Sequence, residues 1–409
     1  MGAQADARGF GTAEGGVVAP AGFRASGVHC GLKREGKPDL ALVVAEAPCP
    51  AAAVFTRNLV AAAPVQVSRR HVADGSARAI VINAGNANAC TGPQGEADAL
   101  SVAAAVAGQL GCSTGDVIVC STGVIGVPLP VDLVVSGLDD AVAALDARTG
   151  DAAAAAIMTT DTFAKQCAVT AEADGRRFTV GGMAKGSGMI RPDMATMLGV
   201  ITTDAPLDPA ACDAALRSAV ARTFNRVTVD GDTSTNDTLV LLAGGAEGGP
   251  SIGVDAPAFD VASRAVETVC AELSRMLARD GEGATKLVTV TVTGAESEAD
   301  AEKAAFTIAE SPLVKTALFG NDANWGRVAA AAGRSGARMD PAALAIVFAG
   351  IEVCRNGVAL AFDEEAALAA LQGDEVVVEI DLGVGAAEAT VLTCDLSYEY
   401  VRINGDYRT

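Results

Sequence analysis

The chain has 409 residues, half of them hydrophobic but only 4% aromatic, with 50 acidic against 30 basic side chains and a formal charge of −20. That length exceeds what one small core needs and favours about two or three domains, with interiors built mainly from alanine, valine, leucine and isoleucine. So acidic a chain argues against a general nucleic-acid or anionic-membrane surface, and an anionic ligand would need local cations to overcome the field.

The N-terminus lacks the charged-then-apolar layout of a signal peptide, and no run of about eighteen apolar residues occurs. We therefore expect a soluble cytoplasmic protein. Apolar runs predict strands at 40–44, 79–82 and 117–120, with a helical pattern at 96–110 between the last two. The third run leads into Cys120-Ser-Thr-Gly-Val-Ile-Gly126, a turn through two glycines. Such a turn can aim a hydroxyl and a backbone N–H at one point, as an oxyanion hole requires; it also reads as a plain strand-to-loop turn. Helical patterns follow at 132–146 and in the alanine-rich stretch 151–157.

A strand at 177–180 precedes Gly181-Gly-Met-Ala-Lys-Gly-Ser-Gly-Met-Ile-Arg-Pro-Asp-Met-Ala-Thr196, and the apolar run 198–202 then forms another strand. Ala195, a small residue, stands before a threonine after a glycine-rich approach that carries Lys185. That layout suits a chain that cuts itself. The Thr196 hydroxyl adds to the Ala195 carbonyl in an N-to-O acyl shift, water resolves the ester, and the freed α-amine, with an ordinary pKa near ~8, serves as base for the same residue's hydroxyl. An Ala-Thr step before a buried strand is also ordinary loop punctuation.

A helix at 209–223 leads to Phe224-Asn-Arg-Val-Thr-Val-Asp-Gly-Asp-Thr-Ser-Thr-Asn-Asp-Thr238. Its Asp230, Asp232 and Asp237 suggest calcium, but the downstream glutamate of an EF-hand loop is missing, so a rigid structural loop is the preferred reading. A strand at 239–242 and a long helix at 257–279 come next, and a soft boundary falls near 285. Beyond it we expect strands at 287–292, 345–348, 376–380 and 389–393 and a helix at 298–309. Strands and helices do not alternate regularly, which favours a layered α+β fold over a doubly wound sheet.

The ten cysteines are scattered without a C-x-x-C pair, and His29 and His71 are the only histidines. A disulfide framework, a zinc site and a Ser/His/Asp triad are all disfavoured; no metal site is expected.

Taken together, these segments make the sequence resemble the ornithine acetyltransferase (glutamate N-acetyltransferase) family. The match runs from Gly22-Phe-Arg-Ala-Ser-Gly27 and Gly36-Lys-Pro-Asp-Leu-Ala41 through Asn83-Ala-Gly-Asn-Ala-Asn-Ala-Cys-Thr-Gly92 to Asn404-Gly-Asp-Tyr-Arg-Thr409. The resemblance implies an α-β-β-α sandwich with an added C-terminal α/β subdomain from about residue 286. It also implies self-cleavage between Ala195 and Thr196, giving an α chain 1–195 and a β chain 196–409 that assemble as α2β2. The implied oxyanion pair is Thr122 and Gly123, and the implied substrate contacts are Thr159, Lys185, Thr196, Glu282, Asn404 and Thr409. Thr160 and Thr162 compete with Thr159 in the same run. Without the resemblance, Lys185 and Glu282 read as solvated surface charges. The implied reaction is ping-pong transfer of acetyl from N-acetyl-L-ornithine to L-glutamate through acetyl-Thr196, without metal or organic cofactor and with acetyl-CoA as a further donor to test. An amidase or aminopeptidase that passes its acyl-enzyme to water is the alternative, and a non-catalytic binding protein that never cleaves is a third.

Overall fold

The computed structural model describes residues 9–34, 36–191, 197–246 and 248–406. Nine strands make the larger sheet: β1 (Gly11–Ala13), β2 (Phe23–Val28), β3 (Leu40–Phe55), β4 (Ser76–Asn86), β5 (Val117–Val124), β6 (Lys165–Ala173), β7 (Arg176–Lys185), β8 (Leu198–Thr203) and β9 (Thr238–Ala243). Their order is β1-β6-β7-β8-β9-β3-β4-β5, with β2 also on β3.

The 16-residue β3 turns this sheet into two layers. Its first part, Leu40–Val44, pairs with β2 and β4, and its last part, Ala51–Phe55, pairs with β9. Register with β4 slips between Val44 and Cys49, in a stretch carrying Pro48 and Pro50, which have no N–H for a ladder.

Period-two alternation then divides each strand between two cores. Ala41, Val43, Ile80, Ile82 and Ile118 meet Met183, Leu198, Val200, Val240 and Leu242 between the layers. Their neighbours Leu42, Val44, Val81 and Val119 face outward onto Val102, Val106, Val134 and Leu138, from the helices Gly92–Leu110, Val131–Ser136 and Leu138–Ala143. On the opposite side Ile201, Leu239 and Leu241 pack on Leu216, Val266, Val269 and Leu273 of the helices Pro209–Arg222 and Pro257–Arg279. The result is the α-β-β-α sandwich of the expected α+β class.

After residue 286 the chain builds a second sheet from β10 (Leu287–Ala295), β11 (Ala345–Phe348), β12 (Ile351–Arg355), β13 (Val358–Ala359), β14 (Glu375–Asp381) and β15 (Ala387–Cys394), in the order β13-β12-β11-β14-β10-β15. It has its own core, in which Val288, Val290, Val378 and Val391 meet Ala304, Ile308 and Val328. A small apolar junction of Ile190, Val227, Val229, Ala278, Leu287 and Cys394 joins it to the sandwich, and the Thr228 N–H donates to the Leu392 carbonyl at 2.9 Å. That junction anchors the segments that carry the site described below.

The pattern expected as one helix at 132–146 is two, broken at Gly137. A Cβ there would stand 2.6 Å from Cys30 Cβ, so the close approach of Cys30 requires a glycine at the break. Among the described residues no helix is long and apolar enough to cross a membrane.

Candidate active site

β4 and β5 run parallel, placing Ala84 beside Thr122 and Gly85 beside Gly123. Gly123 has φ +130°, and a Cβ on it would lie 2.3 Å from the Gly85 carbonyl carbon and 2.6 Å from Asn86 N. Only glycine meets both demands. The adjoining Thr122 Oγ1 accepts from Lys185 Nζ at 3.1 Å. Because the lysine occupies an acceptor site of that oxygen, the threonine's own O–H remains available to donate elsewhere.

Lys185 ends β7 and pairs with Leu198 at the start of β8. It is 8% exposed, not a solvated surface charge. Burial pulls its ammonium below the ordinary lysine value, while the carboxylates of Asp161, Asp237 and Glu282 act in the opposite direction. Asp161 Oδ1 takes both the Gly186 N–H at 2.7 Å and Lys165 Nζ at 2.7 Å. Lys165, wholly buried, also reaches Asp280 Oδ2 at 2.5 Å, and Thr162 donates its N–H and hydroxyl to Asp280. Burial opposes ionisation of Asp161, but Lys185, Lys165 and the Thr159 N–H outweigh it and hold the carboxyl below its usual range.

Two residues beyond Asp280, the Glu282 N–H donates to the Ser187 carbonyl at 2.9 Å. The Ser187 hydroxyl returns a bond to the Asp280 carbonyl at 2.6 Å. Gly188 lies flush against the Glu282 carboxylate, where a Cβ would come within 2.4 Å of Cδ. Asn404 Nδ2 donates to Glu282 Oε2 at 2.7 Å. It sits on the C-terminal helix Tyr398–Asp406, which docks through Ser397 Oγ on the Gly283 carbonyl at 2.5 Å and Tyr398 edge-on to Phe319.

Thr122, Gly123, Thr159, Lys185, Glu282 and Asn404 thus line one cavity of about 170 Å³. Thr160 lines it too, while Thr162 turns toward Asp280 and a different cleft. Ala195, Thr196 and Thr409 lie outside the described residues. Met197, next in sequence to Thr196, lines an adjoining cavity of about 30 Å³ with Thr122, Lys185 and Asp237. A larger cleft of about 590 Å³ along Ala51–Phe55 presents Arg57, Arg69 and Arg217 with Asp213 but, among the described residues, no serine or threonine hydroxyl.

The 224–238 loop does more than brace the site. Asp230, Asp232, Ser234, Thr235 and Asn236 all line the cavity with Tyr400. Asp230 Oδ2 accepts from Met189 N at 2.7 Å, and Oδ1 accepts from Ile190 N at 2.9 Å and Asp232 N at 3.2 Å. Burial pushes its carboxyl up to about 6 against those donors. Burial also pushes Asp237 well above the carboxylate range, against the Ser234 hydroxyl and Lys185, and its Oδ2 has no hydrogen-bond partner among the described residues. The density of Asp, Ser, Thr and Asn around Gly231 was the sequence signal for these wall residues. Among the described residues no group of three or more His, Cys, Asp or Glu is placed to hold a metal ion.

The model of the ArgJ family matches residues 24–409. The chain is 52% identical to the arginine biosynthesis bifunctional protein ArgJ of Symbiobacterium thermophilum, covering 97% of this chain and 99% of that one. It is 48% identical to the protein of the same name from Geobacter sulfurreducens, covering 95% and 99%. Among solved structures, it is similar to arginine biosynthesis bifunctional protein argJ from Bacillus halodurans at 40% identity, covering 50% of this chain and 97% of that one with a TM-score of 0.49. Ornithine acetyltransferase complexed with ornithine from Mycobacterium tuberculosis matches at 49% identity, covering 44% and 96% with a TM-score of 0.42.

Proposed function

The chain belongs to the ArgJ family, and from that premise we propose that it moves the acetyl group of N-acetyl-L-ornithine to L-glutamate through an acetyl ester on Thr196. The observation that carries the residue assignments is convergence: Thr122, Gly123, Thr159, Lys185, Glu282 and Asn404, from separate segments, line one cavity, and Met197, which follows Thr196, borders its neighbour.

Maturation comes first. Thr196 Oγ adds to the Ala195 carbonyl, the peptide C–N bond breaks as the nitrogen takes a proton, and water hydrolyses the resulting ester. The products are a carboxylate on 1–195 and an α-amine on 196–409. In turnover that amine takes the Thr196 hydroxyl proton as Oγ attacks the acetyl carbonyl. The Thr122 hydroxyl, itself accepting from Lys185, and the Gly123 N–H receive the developing oxyanion. The ornithine α-nitrogen leaves with the proton, and the glutamate α-amine attacks the acetyl-enzyme to give N-acetyl-L-glutamate. Lys185 supplies a positive point charge for a substrate carboxylate, Glu282 and Asn404 hold the polar far end, and Thr409 adds its hydroxyl to that end.

The scheme uses neither metal nor organic cofactor. Acetyl-CoA is the second donor to assay, and α2β2 assembly of the cleaved chains in the cytoplasm completes the proposal. Intact mass under denaturing conditions tests it. The wild-type protein gives fragments 1–195 and 196–409, and Thr196→Ala gives one full-length chain without acetyl transfer. Two fragments from Thr196→Ala would refute the cleavage chemistry.

A further inference from the structure

The two amino acids that exchange the acetyl group differ in charge where the site must treat them alike. Each presents its α-nitrogen to the same acetyl ester and its α-carboxylate to the same cation, so their side chains share one subsite. Ornithine brings an ammonium there, and glutamate brings a carboxylate. Lys185 lies at the Thr122 end of the cavity. Elsewhere the wall carries three carboxyl groups, those of Asp230, Asp232 and Glu282. Such a wall suits the ammonium and repels the carboxylate unless one member accepts a proton.

We propose that Asp230 is the residue that lets this subsite take both side chains, ionised opposite the ornithine ammonium and sharing one proton with the glutamate γ-carboxylate. The inference rests on the reaction proposed above. Geometry singles out Asp230 within the wall. Its two oxygens are fixed by the Met189 and Ile190 amides on the glycine-rich strand exit, so it cannot swing out to water. Oδ2 takes one backbone amide where Oδ1 takes two, and the Tyr400 hydroxyl that also meets this carboxyl can turn from donor to acceptor when the carboxyl holds a proton. Among the described residues the Glu282 carboxylate is held instead by the side chain of Asn404 alone, and Asp232 is exposed. The groups around Asp230 are Asp232 on its own loop, the Tyr400 hydroxyl from the C-terminal helix, Glu282 beyond the helix Pro257–Arg279, and the Cys394 thiol at the end of β15. The cations nearby are engaged elsewhere: Lys315 Nζ lies on Cys394 at 3.6 Å from its sulfur, and Lys185 Nζ donates to Thr122 Oγ1. Asp232 makes proton uptake easier, and burial drives the Asp230 carboxyl up to about 6, where a second carboxylate brought alongside raises it across neutrality. Atoms balance simply: glutamate binding takes one proton from solvent, and ornithine binding takes none at this subsite.

Calorimetric titration of the mature enzyme with L-glutamate and with L-ornithine at pH 7.5, each in two buffers of different ionisation enthalpy, counts the protons. Changes at the shared α-amino group cancel in the difference between the ligands. The expected difference is close to one proton taken up with glutamate, with a glutamate Kd rising toward roughly tenfold per pH unit above neutrality while the ornithine Kd does not rise. In Asp230→Asn the difference disappears, because an amide donates to the γ-carboxylate without a proton, and ornithine binding weakens. Tyr400→Phe, which takes one donor from the Asp230 carboxylate, moves the rise in glutamate Kd to higher pH. Equal proton counts for the two ligands in wild-type enzyme, or an unaltered difference in a folded Asp230→Asn, would overturn the assignment. Failure of wild-type enzyme to pass acetyl from N-acetylornithine to glutamate would instead overturn the reaction, and the inference with it.

Discussion

Gly123→Ala tests the oxyanion assignment most directly, because the strand geometry leaves the added methyl nowhere to go. At φ +130° an L side chain is strained by roughly 1–3 kcal/mol before any contact is counted. The Cβ would also lie 2.3 Å from the Gly85 carbonyl carbon, 2.6 Å from Asn86 N and 2.7 Å from Gly85 Cα, all backbone of β4 and none able to rotate away. Carbon atoms are comfortable at about 3.5–4.0 Å, so β4 and β5 must part by roughly 1 Å at the point where the Gly123 N–H is aimed. A displacement of that size costs about 10²-fold in a positioned reaction, and loss of one oxyanion donor costs roughly 10²–10³-fold in kcat. We expect kcat for acetyl transfer to fall within that range, with a lowered unfolding temperature. Gly126→Ala is the control: Gly126 has φ +81° but open space around its Cβ position, so it bears the strain without the collision and keeps catalysis. A Gly123→Ala enzyme that cleaves and turns over within threefold of wild type would refute the assignment of this N–H to the oxyanion.

Thr122→Ala removes the hydroxyl donor together with the acceptor of Lys185, and single-turnover acetylation should slow by roughly 10²–10³-fold; an unchanged rate in the cleaved variant removes Thr122 from the mechanism. Gly188→Ala pushes on the flexible Glu282 carboxylate and should break its bond to Asn404, raising KM for N-acetylornithine on the order of tenfold at little cost in stability. An unchanged KM would take Glu282 off the substrate. Lys165→Met leaves the buried carboxylates of Asp161 and Asp280 uncompensated and should destabilise the protein by roughly 3–5 kcal/mol in urea unfolding. In wild type the lowered Asp161 carboxyl contributes stability that is present above its unfolded value near 4 and is lost as pH falls through its lower folded value. Acid unfolding curves for the two proteins should therefore converge at low pH, and parallel curves would show that Asp161 is not the linked group.

Much of the architecture was legible along the chain because it depends on local periodicity. All ten apolar runs read as strands lie in strands, and the helix expected at 257–279 is Pro257–Arg279, opened by a proline at its first position and followed by the Asp280-Gly step. β1, β2, β6, β12 and β13 are not among those runs. Phe23–Val28 and Lys165–Ala173 mix small and polar residues without alternation, and neighbours hold them in place: a Cβ on Gly27 would strike the Ala152 carbonyl at 1.9 Å.

Residue types and spacing determined by themselves which groups could do chemistry here: a threonine preceded by alanine, a Ser-Thr-Gly turn after a strand, and a lysine in a glycine-rich approach. What they left open was which charges face which. Lys165 and Asp280 meet across 115 residues, Glu282 and Asn404 across 122, and Met189 and Asp230 across 41. No periodicity encodes such pairings, because they arise only when the two layers and the C-terminal sheet close around the junction of Ile190, Val229 and Cys394. The same closure removes water from Lys185, Asp230 and Asp237. Desolvation depends on everything packed around a group rather than on its sequence neighbours, so tertiary structure alone decided that a polar loop read as bracing would form the acidic wall of the site.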